Sequence, residues 1–494
     1  MNRLLSMMCL AVAGVFALEG CFGVEPHGYK ELSPVTINVV SDTINVNLGT
    51  ELVYNGLDIV SAGDLTFQWA YGEPASGSGT NGHKFSSMEV ISDSRTIDYT
   101  FPKVGSFLLR LRVDNGESIA FKYFTLNVNS GYDEGVAILS NDQEGNSALT
   151  FVKTLTSEES ARGEQQVFYN IFSVAGKTLR KGTSLFIADN TYRDVTYSGF
   201  LIATDDEDGT IYHMDCKTFE YYMSAKVADF GTSCAEFGGE YAEDKSSFGC
   251  FFRSKDGRIF RYDMNGGFLN EMTEIKIKAD RIMSAVNRSS ASAKTYRYPV
   301  FFDETTVGTR KSSSAGAKYC SESGWKVVNV AVARNGSLSP VRAILRSEAY
   351  PDSCKIMSGS ISGWGSWDKV AAFESSSLSI SPESKLVSTT AASDVYYVYN
   401  NAIHRWNLTS APGARAAIKV PDGEIIRDIA TNYKGRPASS GGEDLLYVVT
   451  YNPDRGGEHK GSLYVYRFSD DSLVSSYEGI CDDPASVVYK YRIN

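Results

Sequence analysis

The sequence contains few of the residues from which catalytic and metal sites are usually built. There are five histidines among 494 residues, and no two of them are close in sequence. No CxxC pair or GxSxG segment occurs, and the acidic residues are scattered. Zinc sites and nucleophilic active sites require several such side chains to converge on one point. We therefore expect no metal, no cofactor and no enzymatic activity.

Basic clusters and long apolar runs in the body of the chain are also absent. The chain has 48 Lys and Arg against 59 Asp and Glu, a net charge of −11, and no stretch concentrates the basic residues. Binding to a phosphate backbone needs a concentrated basic face, so nucleic acid is excluded as a partner. Beyond the N-terminus, no apolar run approaches the roughly 18 residues of a membrane-spanning helix. Any link to a membrane is therefore expected at the N-terminus.

The N-terminus carries an apolar run of a different kind. Arg3 precedes roughly 15 mostly apolar residues, a length typical of a secretory signal peptide and short for a membrane span. The run ends in Leu18-Glu19-Gly20-Cys21, which resembles the bacterial lipobox, Leu-x-small-Cys. This resemblance implies cleavage before Cys21 and diacylation of its thiol. We predict a lipoprotein signal peptide over residues 1–20 and a tether over 21–33; an ordinary secretory signal with an accidental cysteine is the alternative.

Six cysteines follow Cys21, and their wide spacing argues against structural zinc. An exported chain could join them in disulfides, or a large core could bury them as free thiols. The sequence leaves both possibilities open.

Strand signals dominate the rest of the chain. The sequence has 29 Tyr, 25 Phe and 44 Gly, a composition that favours strands and turns over helices. Apolar and polar residues alternate from PVTINVV onward and again through Phe107–Asp114, where Asn115-Gly116 supplies a hairpin turn. The chain is thus predicted to be all-β, with a small β-sandwich over residues 34–130.

Two segments of this region resemble the PKD domains, which are immunoglobulin-like sandwiches of surface proteins. LTFQWAYGEP (residues 65–74) is similar to the family's Y-x-W-x-F-G-D-G segment. DYTFPKVGSFLLRLRVDNG (residues 98–116) is similar to its H-x-Y-x-x-x-G-x-Y-x-V-x-L-x-V-x-N-G segment. The resemblance implies that Trp69 is the buried core tryptophan and that Phe107 replaces the family's tyrosine. Such domains are usually spacers or adhesive modules.

Residues from 133 onward repeat one unit. GFLIATDDEDGTIYHMDCKTFEY (residues 199–221) and GCFFRSKDGRIFRYDMNGGFLN (residues 249–270) each contain an apolar strand, an Asp-Gly hairpin and an aromatic-rich strand that ends in aspartate. The turns Asp208-Gly209 and Asp256-Gly257 lie 48 residues apart. A fixed period of about 40–50 residues is typical of propeller blades. We predict a β-propeller over residues 133–494, with about seven blades and six or eight as alternatives.

Together, these three features resemble the PKD-like family lipoproteins of Bacteroidetes, which are commonly encoded beside SusC/SusD-type outer-membrane importers. The resemblance implies a non-catalytic, lipid-anchored outer-membrane protein exposed at the cell surface. The group often has an acidic stretch after the lipid cysteine as an export signal, and this chain offers only Glu25 there, so an inner-facing placement is the alternative. The protein would be an accessory subunit of a TonB-dependent nutrient uptake complex, with an oligopeptide or oligosaccharide cargo. The alternatives are a stand-alone surface protein that binds glycans and a propeller hydrolase or lyase.

Trp364 and Trp367 are the candidate ligand-binding residues. They lie among small residues in Ser362–Trp367, where exposed rings could stack on sugars or on peptide side chains. The alternative is that both rings pack between blades. The segment NPDRGGEHKG (Asn452–Gly461) is predicted to be a projecting hairpin that could meet a partner protein.

The acidic segment Asp205–Gly209 resembles a calcium-binding loop. Thr204 and Asp215 occupy positions at which such a loop needs its first and last ligands, so a charged hairpin tip is favoured.

Overall fold

The structure is a computed structural model. It describes residues 31–74, 87–174, 176–192, 195–242, 248–288, 295–310, 316–332, 340–360, 367–388, 394–413, 415–432 and 444–491. These residues form antiparallel sheets almost throughout, which confirms the predicted all-β class. The chain divides into two compact units, with the boundary between Asn129 and Ser130. Within the described ranges, the structure contains no helix with the length and apolarity that crossing a bilayer would require.

The first unit consists of short strands around one hydrophobic core. A five-stranded sheet has the order β2-β9-β8-β5-β6, and two small sheets pair β1 with β4 and β3 with β7. In chain order the strands are β1 Thr36–Val39, β2 Thr43–Asn47, β3 Glu51–Tyr54, β4 Leu57–Val60, β5 Thr66–Gly72, β6 Glu89–Ser92, β7 Ile97–Thr100, β8 Gly105–Asp114 and β9 Ile119–Asn129. All three sheets contribute side chains to the core.

Trp69 is fully buried in this core, as predicted. Its ring lies 5.9 Å from that of Phe124, and its Nε1 donates a hydrogen bond to the carbonyl of Ser94 at 3.1 Å. The hairpin predicted at Asn115-Gly116 joins β8 to β9, and Gly116 has the positive φ of 81° that favours glycine at such a turn.

The second unit contains seven sheets among its described residues, and six of them are formed entirely by strands that follow one another in the chain. We number these sheets as blades 1 to 7. The strands of the first three blades are, for blade 1, β10 Gly135–Asn141, β11 Ser147–Lys153 and β12 Val167–Phe168; for blade 2, β13 Gly182–Tyr192, β14 Val195–Thr204, β15 Thr210–Met214 and β16 Tyr221–Lys226; and for blade 3, β17 Cys234–Ala242, β18 Phe248–Ser254, β19 Ile259–Asp263 and β20 Phe268–Glu271. Those of the next two are, for blade 4, β21 Arg281–Arg288, β22 Thr295–Phe302, β23 Thr306–Thr309 and β24 Lys318–Ser321; and for blade 5, β25 Trp325–Val332, β26 Pro340–Ser347, β27 Ser353–Ser360 and β28 Asp368–Glu374. The remaining strands are, for blade 6, β29 Leu386–Ser388, β30 Val395–Tyr399 and β31 Ala402–Trp406; for blade 7, β32 Ile425–Thr431, β33 Leu445–Tyr451, β34 Gly461–Arg467 and β35 Leu473–Cys481; and a last strand, β36 Asp483–Lys490. A short helix, α1 (Ser157–Ala161), lies within blade 1, and 3₁₀ turns occur at Val227–Phe230 and Ser375–Ser377.

The last strand closes the ring. β36 pairs antiparallel with β10, so that blade 1 is built from both ends of the unit. Seven hydrophobic clusters, one for each pair of neighbouring blades and including the pair 7 and 1, fill the spaces between the sheets. This closed succession of blades is a seven-bladed β-propeller, in agreement with the predicted architecture.

The repeated sequence motif encodes two turns in each of blades 2 and 3. Asp208-Gly209 joins β14 to β15, and Asp256-Gly257 joins β18 to β19, so both turns occupy the same hairpin of neighbouring blades, as predicted. Their glycines have φ angles of 52° and 84°. At the ends of β15 and β19, Asp215 and Asp263 each accept two backbone N–H bonds at 2.7 to 3.0 Å, which fixes the following turn.

Several neighbouring blades are joined by the same kind of hydrogen bond, through the first strand of each blade or through β36 in blade 1. In each case a buried or half-buried polar side chain on the first strand of one blade, or on β36 of blade 1, accepts a backbone N–H from the corresponding strand of the next blade. The pairs are Leu185 N to Ser486 Oγ (3.1 Å), Ile282 N to Glu236 Oε2 (3.2 Å) and Val487 N to Asp428 Oδ2 (2.9 Å). These hydrogen bonds fix the position of each blade along its neighbour. Apolar contacts alone are not directional and would allow neighbouring blades to slide.

All six cysteines of the described region are buried as free thiols. The structure therefore decides between the two possibilities that the sequence left open. Burial raises the pKa of the Cys234 and Cys250 thiols well above their usual range, so neither is a thiolate near neutral pH.

Candidate functional site

The residues singled out by the sequence are only partly described by the structure. Cys21 and Trp364 lie outside the described residues. Trp367 is half-buried and packs against the hydrophobic cluster between blades 4 and 5. Its position fits the packing alternative, and a role in ligand binding stays a prediction.

The acidic segment Asp205–Gly209 is a charged hairpin tip. Asp205 accepts hydrogen bonds from Ser233 Oγ and Lys255, and Asp208 forms an ion pair with Lys226 at 2.9 Å. These carboxylates are held by protein groups in an arrangement unlike a calcium cage. Among the residues that the structure describes, no three His, Cys, Asp or Glu side chains are grouped as metal ligands would be.

A cleft with a volume of about 310 Å³ opens where blade 7 meets blade 1, and we call it the seam cleft. Three chain segments form its walls: the β10–β11 hairpin, the β33–β34 hairpin and the start of β36. Its lining residues are Asn141, Asp142, Gln143, Glu144, Tyr451, Glu458, Lys460, Asp482 and Asp483. Five of them are carboxylates and one is an ammonium group, so the cleft is strongly negative.

The wall from blade 7 belongs to the hairpin Asn452–Gly461, and a buried ion pair anchors it. Arg455 donates one hydrogen bond to Glu424 at 2.5 Å and another to Glu478 at 2.6 Å. The side chain of Glu424 is only 1% exposed, and it also accepts hydrogen bonds from Thr450 and Asn452. The hairpin is thus held at a fixed angle to its blade, and its far end, with Glu458 and Lys460, lines the cleft.

A second cluster ties the two sides of the seam together beside the cleft. Tyr169, which directly follows β12 of blade 1, donates a hydrogen bond to Asp482 Oδ2 at 2.9 Å. His459, from the hairpin of blade 7, lies 3.0 Å from Asp482 Oδ1 through its Nδ1, and its ring is 4.2 Å from that of Tyr169. Burial, and then the hydrogen bond to Asp482, raises the pKa of Tyr169. This phenol therefore remains a hydrogen-bond donor near neutral pH.

The remaining charges of the cleft fall into two groups. Asp483 is neutralised by a bidentate pair with Arg427, at 2.7 and 2.8 Å. By contrast, Asp142, Glu144 and Glu458 form no ion pair with any described cation. Asp142 accepts hydrogen bonds from the neutral Asn146 instead, and these lower the pKa of its carboxyl group. The cleft therefore keeps uncompensated negative charge near neutral pH.

This arrangement can hold a positively charged group by hydrogen bonds and charge. Sequence reasoning singled out the wall at Asn452–Gly461 and missed the other two, at Asp142 and Asp482. The signal in the sequence was weak because each wall is a short acidic turn of an ordinary kind.

Comparisons with known proteins provide structural neighbours only. No protein-family model matches the sequence, and no curated protein matches it. A quinoprotein alcohol dehydrogenase-like protein from Bacteroides thetaiotaomicron is 15% identical, with 92% of this chain and 99% of that chain covered and a TM-score of 0.45. BamB from Moraxella catarrhalis is 12% identical, with 69% and 87% covered and a TM-score of 0.35.

Proposed function

We propose that the chain is a non-catalytic binding protein that is exported, anchored by lipid at Cys21 and exposed at the surface of the outer membrane. In this proposal it is an accessory subunit of a SusC/SusD-type importer and meets an oligopeptide or oligosaccharide cargo. The seam cleft is the observation that carries the binding role. It is an open, charged recess in a closed propeller, and its walls are fixed by the Arg455 anchor and the Tyr169–His459–Asp482 cluster.

The physical case rests on preorganisation. A ring closed through seven apolar interfaces holds its hairpins still, so a ligand need not order them on binding. The lipobox resemblance and the PKD-like segments of the first unit support placement at the cell surface. A first unit of the PKD type would serve as a spacer between the lipid and the propeller.

Co-purification tests this proposal. The tagged protein, extracted with gentle detergent from membranes of its own host, should bring down a TonB-dependent transporter that mass spectrometry identifies. A tagged outer-membrane lipoprotein of unrelated fold from the same host is the matched control. Recovery of the chain without any transporter would contradict the accessory role.

A stand-alone glycan-binding protein is the second candidate. Two large aromatic side chains are exposed on the outer strands of the neighbouring blades 2 and 3, Tyr222 at 63% and Phe268 at 67%. Exposed rings of this kind can stack on sugars. Retention of the purified protein on immobilised polysaccharide, together with a negative pull-down, would favour this candidate. Activity on glycans or peptides would instead support the propeller hydrolase or lyase.

A further inference from the structure

The seam cleft contains more carboxylate charge than the cationic side chains near it neutralise. Asp142, Glu144 and Glu458 line it without an ion pair to any described cation, although the guanidinium of Arg180 donates a hydrogen bond to the backbone carbonyl of Glu144 at 3.3 Å. The one ammonium group in the lining, that of Lys460, donates a hydrogen bond to the carbonyl of Pro453 at 2.6 Å, within its own hairpin. Carboxylates gathered around a recess repel one another, and a bound cation relieves that repulsion.

The wall also contains an aromatic ring suited to a cation. Tyr451 lines the cleft, and the guanidinium of Arg427 already lies 5.3 Å from the centre of its ring. A tyrosine ring with carboxylates beside it recognises ammonium and guanidinium groups through both cation–π attraction and charge. The cleft volume of about 310 Å³ suits one extended side chain with part of its backbone.

We infer that the seam cleft binds a basic side chain, the guanidinium of arginine or the ammonium of lysine, of an oligopeptide. This inference rests on the proposed function, since it takes the cleft as the place where the chain meets its cargo. It selects the peptide over the oligosaccharide. A neutral sugar would leave the three carboxylates uncompensated, and an acidic sugar would be repelled by them. A dedicated divalent-cation site is disfavoured, because the described residues contain no three-ligand grouping.

A pair of peptides tests the inference on the purified protein. The probes are fluorescein-labelled Gly-Gly-Arg-Gly-Gly and the same peptide with citrulline, which has the shape of arginine without its charge. Fluorescence anisotropy should show that the arginine peptide binds about tenfold or more tightly than the citrulline peptide. Its affinity should fall as sodium chloride is raised, since exposed charge pairs are screened.

Matched variants locate the binding. The double variant Glu144→Gln, Glu458→Gln removes two exposed charges of the cleft and should weaken binding of the arginine peptide by about fivefold to tenfold. The control is Glu207→Gln, Glu348→Gln, which removes two exposed charges from the hairpin of blade 2 and from that of blade 5. The control should bind as the wild type does. Both variants should keep the wild-type melting temperature, because the four side chains are exposed.

Three results would overturn the inference. Equal affinity for the arginine and citrulline peptides would show that the cleft does not recognise the positive charge of arginine. Equal weakening by both double variants would show attraction to the whole acidic surface rather than to the cleft. Loss of peptide binding in calcium chloride, at constant ionic strength, would assign the cleft to a metal ion. Because no importer is present in these measurements, a failed pull-down and a failed peptide titration remain separate outcomes.

Discussion

At the scale of the residue, the propeller buries a histidine in an apolar interface. His213, on β15, is 5% exposed and lies between the rings of Tyr222 and Tyr262, whose centres are 5.3 and 6.2 Å from its own. Gly199 makes room for it, since a Cβ there would lie 2.4 Å from His213 Nε2. Burial lowers the pKa of His213 to about 4, and the charge of Asp215 opposes that shift only partly. The side chain is therefore neutral in the folded protein near neutral pH.

This burial predicts a loss of stability in acid. The pKa of His213 is about 4 in the folded chain against an ordinary histidine value of 6.5, so between these pH values the unfolded chain binds a proton that the folded chain does not. The contribution of the neutral His213 side chain to the free energy of unfolding is fully present above pH 6.5 and decreases as the pH falls toward 4. The loss is of the order of 3 kcal/mol in free energy of unfolding.

Urea unfolding at several pH values measures this loss. His213→Phe keeps an aromatic ring between the two tyrosines and removes the titration, so its stability should depend less on pH between pH 6.5 and 4 than that of the wild type. An identical pH dependence in both proteins would contradict the assignment to His213. Comparing the two proteins is necessary because carboxylates also titrate in acid.

At the scale of the element, strand β36 and its neighbour β32 decide whether the ring closes. Asp428 on β32 is 7% exposed, and its carboxylate accepts backbone hydrogen bonds from Ile429 and from Val487 of β36, both at 2.9 Å. Lys385 from the connection between blades 5 and 6 pairs with the same carboxylate at 2.6 Å. One side chain thus links three consecutive blades at the closing seam.

We predict that Asp428→Ala lowers the free energy of unfolding by about 3 kcal/mol, because two buried N–H groups and an ammonium group lose their acceptor. Asp428→Asn retains one acceptor oxygen and should lose about 1 kcal/mol. Ser486→Ala, which removes the single bond to Leu185, should cost about 1 kcal/mol and serves as a comparison at a second blade junction. Urea denaturation followed by tyrosine and tryptophan fluorescence gives these differences. Equal, small losses for both Asp428 variants would show that the seam does not depend on this carboxylate.

At the scale of the whole molecule, stability does not rely on covalent links. The six cysteines of the described region are free and buried, so the propeller is held by its blade interfaces and by pairing of β36 with β10. The folding of the propeller therefore needs no disulfide formation. The membrane attachment that we propose is expected to depend on the N-terminal lipid.

The lipid anchor gives a prediction for the intact protein in its host. Cys21→Ser should move the protein from the membrane fraction to the soluble fraction, because the acyl chains supply most of the membrane affinity. Fractionation followed by immunoblotting measures this change, and Cys216→Ser, at a buried propeller cysteine, is the matched control that should stay in the membrane fraction. A Cys21→Ser protein that still needs detergent for extraction would contradict the lipid anchor.

The sequence by itself determined the class and the repeat of this protein. Alternating residues such as those of Phe107–Asp114 encode strands, and the Asp208-Gly209 and Asp256-Gly257 turns encode hairpins. These signals are readable because turn chemistry and side-chain alternation act among neighbours in the chain. The burial of Trp69 was expected from the resemblance of residues 65–74 to the PKD segment, and the structure confirms that burial.

Only the tertiary structure determined which residues meet at the seam between blades 7 and 1. The walls of the seam cleft contain Asp142, Glu458 and Asp482, which are brought together when β36 returns to pair with β10 at the other end of the unit. The same return places Val487 beside Asp428. No local pattern specifies such a meeting, because each of these acidic turns would be a satisfactory surface turn by itself. Their convergence follows from the number of blades and the register of the closing strand, which depend on packing around the whole ring.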